Sequence, residues 1–272
     1  DPKIIPSSVS PHPYLLWELP PGETEVNGQP VTINELGARG PTSTWEKGDG
    51  IRRIIVLGDE VSFGQGVDRD ESFVLDAVNS LGGPRVGVET LVFSAPGYSI
   101  VQQQNQMDLR GWALLPDLLI IAGPGSEMTV APYVDQEIIP PVHSLDSTRS
   151  TLEKLAVYRI VNHHLNVIDG PQSIRRNQVF RDNTNHNPTG RPRVGVNDYA
   201  AQLDAMVANA ITRDVDLVFV IYPQPEDLND SHMTNRVNLY RTAMKDVAKR
   251  HGIPTVDGPQ VFKSSGRDKE RL

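Results

Sequence analysis

Arg52-Arg53-Ile54-Ile55-Val56-Leu57-Gly58-Asp59-Glu60-Val61-Ser62-Phe63-Gly64-Gln65-Gly66-Val67 decides the fold. A run of branched apolar residues ends in a Gly-Asp corner and a Gly-rich loop. A buried parallel strand has this form when it delivers polar residues to the carboxyl edge of a sheet, where open α/β sheets keep their sites.

Working outward, similar runs recur at Val86–Phe93, Asp117–Ala122 and Asp216–Pro223, with a shorter one near Thr255–Asp257. The third shows no apolar alternation, as a strand covered on both faces should. Between them lie helical spacings. Phe73, Val74, Ala77, Val78 and Leu81 follow the cap Asp70-Glu71-Ser72 and stop at Gly82-Gly83-Pro84. Further helices are expected over residues 99–115, Gln-rich on one side, over 148–168, from Asn197 onward, and over 231–251. Strand and helix alternate throughout, which predicts a three-layer α/β/α, flavodoxin-like, doubly wound parallel sheet of about five strands.

The domain is expected to span 51–272, with insertions at 127–147 and 169–194. Residues 1–50 are rich in Pro and Gly and read as an extended N-terminal arm. The arm carries a small hairpin turning at Asn27-Gly28. Tyr14, Leu15, Leu16 and Trp17 are too apolar for a free tail, so they are expected to dock, on their own domain or on a partner.

Composition narrows the function. The 272 residues carry a net charge of −8 and no Lys/Arg block, which argues against a nucleic-acid or anionic-membrane partner. Cysteine is absent, removing disulfides, thiol catalysis and thiolate metal sites together. No stretch approaches the roughly 20 apolar residues of a membrane span. The sequence starts at Asp1 rather than Met, so a signal peptide or membrane anchor ahead of it is an open expectation.

The stretch Ile54 to Val67 resembles the first block of the SGNH (GDSL) hydrolase family, in which a strand ends Gly-Asp-Ser and the Ser attacks an ester. The segment Asn34-Glu35-Leu36-Gly37-Ala38-Arg39-Gly40-Pro41 is similar to a lead-in found in bacterial SGNH-like proteins with an N-terminal anchor. Weaker likenesses are Pro96-Gly97-Tyr98, Pro116-Asp117 and Gly125-Ser126, so the resemblance covers most of the chain from Asn34 to Val261. It implies export, to a bacterial periplasm or cell envelope.

The resemblance also implies a site, and the sequence departs from it at each position. Glu60 stands where the nucleophilic Ser should be, and a carboxylate there opposes a developing oxyanion. Ser94-Ala95 replace the usual Gly of the second block. Glu127 replaces the Asn whose side chain would donate to the oxyanion, and an ionised carboxylate only accepts. The Asp-x-x-His of the last block has no counterpart, because Asp257 to Leu272 contains no His. No catalytic residue is therefore expected, with Ser62 as the fallback nucleophile. The expected role is a catalytically inactive structural or interaction subunit of a larger exported or membrane-associated assembly. The alternatives are a carbohydrate- or acyl-ligand module with a cleft near Glu60 lined by Tyr98, or a hydrolase with a rearranged site.

No cofactor is expected. Asp59, Glu60 and Glu127 are weak candidates for a hard cation, weighed against Glu60 pairing with a nearby Arg or Lys and plugging the pocket. His163 and His164 are adjacent on their helix and point apart, and His232 reads as a surface residue at a helix start.

Overall fold

The computed structural model describes residues 9–80, 82–142, 191–224, 227 and 235–265. Its first elements are β1 (Ser10–His12) and β2 (Leu16–Glu18), a short antiparallel pair, then β3 (Gly22–Val26) and β4 (Gln29–Ile33). Asn27 and Gly28 both adopt positive φ, 51° and 82°, which is the turn their sequence predicts between β3 and β4.

β5 (Arg52–Leu57) is followed by α1 (Glu60–Phe63), α2 (Phe73–Ser80) and β6 (Val88–Val92). Then come α3 (Ile100–Gln106), continued by a π turn and a 3-10 turn to Leu114, and β7 (Leu118–Gly123). The pair β8 (Val130–Ala131) and β9 (Arg191–Pro192) brackets α4 (Asp135–Ile138). The chain closes with α5 (Val196–Thr212), β10 (Asp216–Ile221), α6 (Asn235–His251), β11 (Thr255–Asp257) and α7 (Gly258–Ser265).

The central sheet runs β6-β5-β7-β10-β11 with every pairing parallel, flanked by helices. This is the flavodoxin order, and it places the switch point between β5 and β7. The expected strands and helices occur within a few residues of their predicted bounds. The helix over 148–168, the adjacent His163 and His164, and His232 lie outside the described residues.

Of the two dockings open to the arm's apolar segment, the structure shows the one on its own domain. Tyr14, Leu15, Leu16 and Trp17 are all buried within the main core, beside Ile55, Leu57, Leu119 and Ile121 of the sheet. Their side chains are therefore closed off from solvent by the chain's own core. The Gln-rich side of α3 explains how an irregular segment can be buried there. Gln102 Nε2 donates to the Leu15 carbonyl at 2.6 Å, and Asn105 Nδ2 to the Tyr14 carbonyl at 2.7 Å. The Tyr98 hydroxyl donates to the Trp17 carbonyl at 2.8 Å. These bonds satisfy backbone carbonyls that strand pairing leaves open, and burial without them would be costly. The β3-β4 hairpin makes a second, smaller core with Leu19 and with Phe63 of α1.

Candidate functional site

Three strand ends meet at the switch point. After β5, Gly58 permits a close approach: a Cβ there would lie 2.1 Å from Ser62 Oγ and 2.5 Å from the Tyr222 hydroxyl. Asp59 then caps α1, its Oδ1 accepting the Val61 amide at 3.1 Å. Gly64 ends α1 in the left-handed region. Arg39 holds the turn from below, donating to the carbonyls of Phe63, Gly64 and Val67 at 2.6, 2.8 and 2.9 Å. Its guanidinium also stacks over the Phe63 ring at 4.9 Å. The Asn34-to-Pro41 segment thus acts as a splint for the α1 corner.

Glu60 projects from the start of α1 and is half-buried. Its Oε2 accepts the Gly97 amide, which follows β6, and the Ser126 hydroxyl, which follows β7, each at 3.2 Å. The Ser126 amide turns the other way, onto Asp59 Oδ2 at 3.1 Å. Glu127 accepts the Ile100 and Gly125 amides, both at 2.8 Å. Gly125 has no room for a side chain, since a Cβ would fall 1.5 Å from Asp59 Oδ2.

This geometry corrects several expectations. The backbone donor facing residue 60 comes from Gly97, not from Ala95, which is buried two residues earlier. The side chain from the third block that faces Glu60 is Ser126, while Glu127 bonds the amide of Ile100 at the start of α3. No Arg or Lys among the described residues forms an ion pair with Glu60; an amide and a hydroxyl hold it instead. Asp59, Glu60 and Glu127 do not assemble a cation cage, because both oxygens of Asp59 and of Glu127 are turned onto backbone amides. No cluster of three or more metal-ligating side chains occurs among the described residues.

Ser62 is fully buried. Its Oγ donates to Ser94 Oγ at 2.7 Å and accepts the Tyr222 hydroxyl at 2.9 Å. Tyr222 titrates well above its ordinary range, chiefly through burial and also through Asp59, so it is no base for Ser62. The fallback nucleophile is thus a core hydroxyl. Tyr98 is buried as well, tied to the Trp17 carbonyl. Two clefts, of 430 and 680 Å³, lie beside β6 and beside β4, and neither is lined by Asp59, Glu60 or Glu127.

The electrostatics follow from three acids sharing neutral donors. Burial pushes Asp59 well above the ordinary 3.8, and the neighbouring Glu60 and Glu127 push it further. Burial also raises Glu127, against the bonds from Gly125 and Ile100 and the field of Arg193. Arg193 is the site residue that sequence reasoning missed. Fully buried, it bonds Asp135 through Nε at 3.0 Å and Nη2 at 2.8 Å, Gln102 Oε1 at 2.7 Å, and the Gly97 carbonyl at 2.6 Å. It thereby fixes the peptide group whose neighbouring amide reaches Glu60. Its surroundings in sequence, Arg191-Pro192-Arg193, look like any polar loop and carry no signal of burial.

Fold and site define an α/β domain of flavodoxin strand order with a carboxylate seated at its switch point. No family model matches the chain, and no curated protein matches it. Among solved structures it is similar to an acetyl xylan esterase, AlAXEase, at 10% identity, covering 78% of this chain and 80% of that one, with a TM-score of 0.48. It is also similar to AlinE4, a SGNH-hydrolase family esterase, at 10% identity over 82% of each chain, TM-score 0.46. A third is the lipase/acylhydrolase from Enterococcus faecalis, at 12% identity over 79% of this chain and 80% of that one, TM-score 0.43.

Proposed function

We propose that this chain is a non-catalytic relative of the SGNH esterases, serving as a structural or interaction subunit of an exported or membrane-associated assembly in a bacterial envelope. One observation carries the non-catalytic reading: Glu60 Oε2 occupies the Gly97 amide and the Ser126 hydroxyl. Acyl transfer needs such donors free for the oxyanion, and losing one alone typically lowers the rate about 10²- to 10³-fold. Here a fixed negative charge fills both.

Asp257, at the end of β11, holds no imidazole among the described residues: it pairs with Lys245 and bonds the Gln260 amide in α7. The subunit reading rests on the long insertions of the sequence, since the Tyr14–Trp17 segment is taken up by the chain's own core.

Hydrolysis of p-nitrophenyl acetate tests the first part. The unaltered protein, Glu60→Ala and Glu60→Ser are all expected at the buffer rate, because restoring a hydroxyl at residue 60 gives it no imidazole on Asp257; turnover by the unaltered protein refutes the reading. Native mass measurement after gentle extraction from its own cells tests the second. A stoichiometric protein partner is expected, and an isolated monomer would overturn the subunit role.

A further inference from the structure

We propose that the outer edge of β6 is a strand-addition site, taking about three residues of an extended partner peptide whose carboxylate reaches Arg39 and Arg69. The inference deepens the subunit reading by naming the surface that a partner uses.

β6 is the last strand on its side of the sheet. Parallel pairing turns alternate residues toward the neighbouring strand. The Gly87 carbonyl accepts the Arg52 amide at 2.8 Å and the Phe93 amide donates to the Val56 carbonyl at 2.9 Å, so the odd-numbered residues of β6 face β5. Val88, Thr90 and Val92 therefore turn their main-chain groups outward. At Val92 the outward carbonyl is already taken by the Arg39 amide at 3.0 Å, in an antiparallel bridge. Past that bridge residues 41–46 form no strand, and the 430 Å³ cleft opens between them and Gly87–Leu91. The Thr90 hydroxyl is buried at this cleft with no hydrogen-bond partner among the described residues. An unpaired strand edge with room beside it is a template for another strand. Main-chain bonds then supply affinity, and the flanking walls read alternate side chains. Leu75, Val78 and Ile51 make the apolar part of the wall, while Thr42, Ser43 and Asn79 suit a peptide better than an acyl chain.

The end of the cleft beyond Val92 is cationic. Arg39 and Arg69 both line it, and Arg69 lies against Gly40, where a Cβ would come within 2.6 Å of its Nε. That Nε is buried without a partner among the described residues. Arg39 donates to the carbonyls of Phe63, Gly64 and Val67, which leave its charge unneutralised. Burial, and then the field of Arg69, hold its pKa below the usual arginine range, with Asp68 pulling the other way. Arg69 pairs with Asp70, its exposed neighbour in sequence, and such a pair is worth little. Glu89 is committed to Arg53 and Ser43. A carboxylate arriving at this end thus meets positive charge that the chain's own acids leave available.

Titrating isotope-labelled protein with short peptides tests the site. The probes are acetyl-Thr-Val-Thr as the free acid, the same peptide as its carboxamide, and acetyl-Glu-Thr-Val-Thr carboxamide. The first brings a carboxylate to Arg39 and Arg69 at the end of a parallel strand, the third at the start of an antiparallel one. The Val88 and Thr90 amide resonances are expected to move with one of the two acids at a Kd on the order of 1 mM, and about fivefold more weakly with the neutral peptide. Arg69→Gln should erase the difference between acid and neutral peptide. Thr90→Pro removes an amide that the ladder does not use and should abolish binding of all three. If Thr90→Pro does not fold, Arg69→Gln, at a partly exposed side chain, carries the test. Unmoved resonances at about 10 mM peptide, tenfold above the expected Kd, or equal affinity for acids and neutral peptide, overturn the proposal. Val88 and Thr90 resonances that broaden with protein concentration alone assign the edge to a second copy and overturn it too. An isolated monomer in native mass measurement would sink the subunit role and leave the titration standing. A stoichiometric complex with an unmoved β6 edge would sink this site alone, so the two failures are separable.

Discussion

The amide of Gly97 and the carboxylate of Glu60 meet at 3.2 Å across the ends of two neighbouring parallel strands. Thirty-seven residues separate them in sequence. The contact exists because β5 and β6 both deliver their carboxyl ends to one edge and both turn on a glycine-containing corner. What reaches that edge is an acceptor where SGNH chemistry, by resemblance, requires a nucleophile. Two more acids, Asp59 and Glu127, crowd the same corner and are satisfied by amides rather than cations. The corner is therefore rich in negative charge and in fixed donors at once.

Removing one of those charges should stabilise the protein. Glu60→Gln keeps an oxygen for Gly97 and Ser126 and relieves the field that helps push Asp59 upward. At neutral pH the variant is expected to be more stable by about 1 kcal/mol. The midpoint of urea unfolding checks this; a lower midpoint would mean that the charge on Glu60 holds the corner together.

The pH dependence has a defined sign. Asp59 and Glu127 titrate above their ordinary 3.8 and 4.5, chiefly through burial. Each binds its proton more tightly folded than unfolded, so its stabilising contribution is complete below the ordinary value and is lost as pH rises through the raised one. Asp117 and Asp227 run the other way. Burial works against their ionisation, but bonds from the Arg53 amide and Lys47, and from Arg241 and the Gln224 amide, hold them below 3.8. Their contribution is present above that value and fades as pH falls. Stability should therefore peak near the ordinary carboxylate values, at about pH 4, and decline as pH rises above them. Asp59→Asn should flatten the alkaline side, as urea midpoints at several pH values would reveal.

Much of this was legible in the sequence. The run Ile54–Leu57 and its corner predict the strand, the edge and the acid at residue 60, because a hydrophobic run and a turn are local signals. The hairpin at Asn27-Gly28 is local in the same way. The donors to Glu60 were less legible. Gly97 and Ser126 stand in recognisable loops, but which amide or hydroxyl faces inward depends on loop conformation, and the sequence pattern favours Ala95 and Glu127. Which of its two dockings the arm takes is hard to read from sequence for a related reason. Its apolar residues are visible in sequence, whereas Gln102 and Asn105, which bond its carbonyls, look like a solvated helix face.

Trp17 provides a test of that docking. Fully buried, it packs edge-on against Tyr98 with ring centroids 5.9 Å apart, and Arg193 lies over its ring at 5.3 Å. Trp17→Ala is expected to cost about 3 to 5 kcal/mol of stability in the isolated chain. Calorimetry on the purified protein reads this directly. A contact residue for another protein would show no such loss.

Gly125 tests how closely the two strand ends approach. A side chain there meets the Asp59 carboxylate directly. The methyl of Gly125→Ala would overlap Asp59 Oδ2, forcing the acid off the Ser126 amide. A loss of about 1 to 3 kcal/mol is expected, together with a shift of the Ser126 amide resonance. Unchanged stability would show that the corner has slack that its hydrogen bonds conceal.

Arg193 and Asp135 tie α4 and the strand pair β8-β9 to the corner, and both side chains are completely buried. Ser99 donates to the same carboxylate, and Gln102 accepts from the same guanidinium, so every charge-bearing atom is matched. Breaking such a pair from one side leaves the other charge stranded. Arg193→Met or Asp135→Leu alone is expected to cost about 3 to 5 kcal/mol. The double variant strands neither charge and should recover a large part of the loss. Arg193→Met has a second effect that Asp135→Leu does not share directly, because it also frees the Gly97 carbonyl. The Gly97 amide resonance should therefore move more in Arg193→Met than in Asp135→Leu. Equal movement would mean that the ion pair supports the corner only through general packing, and that Arg193 does not itself aim the amide at Glu60.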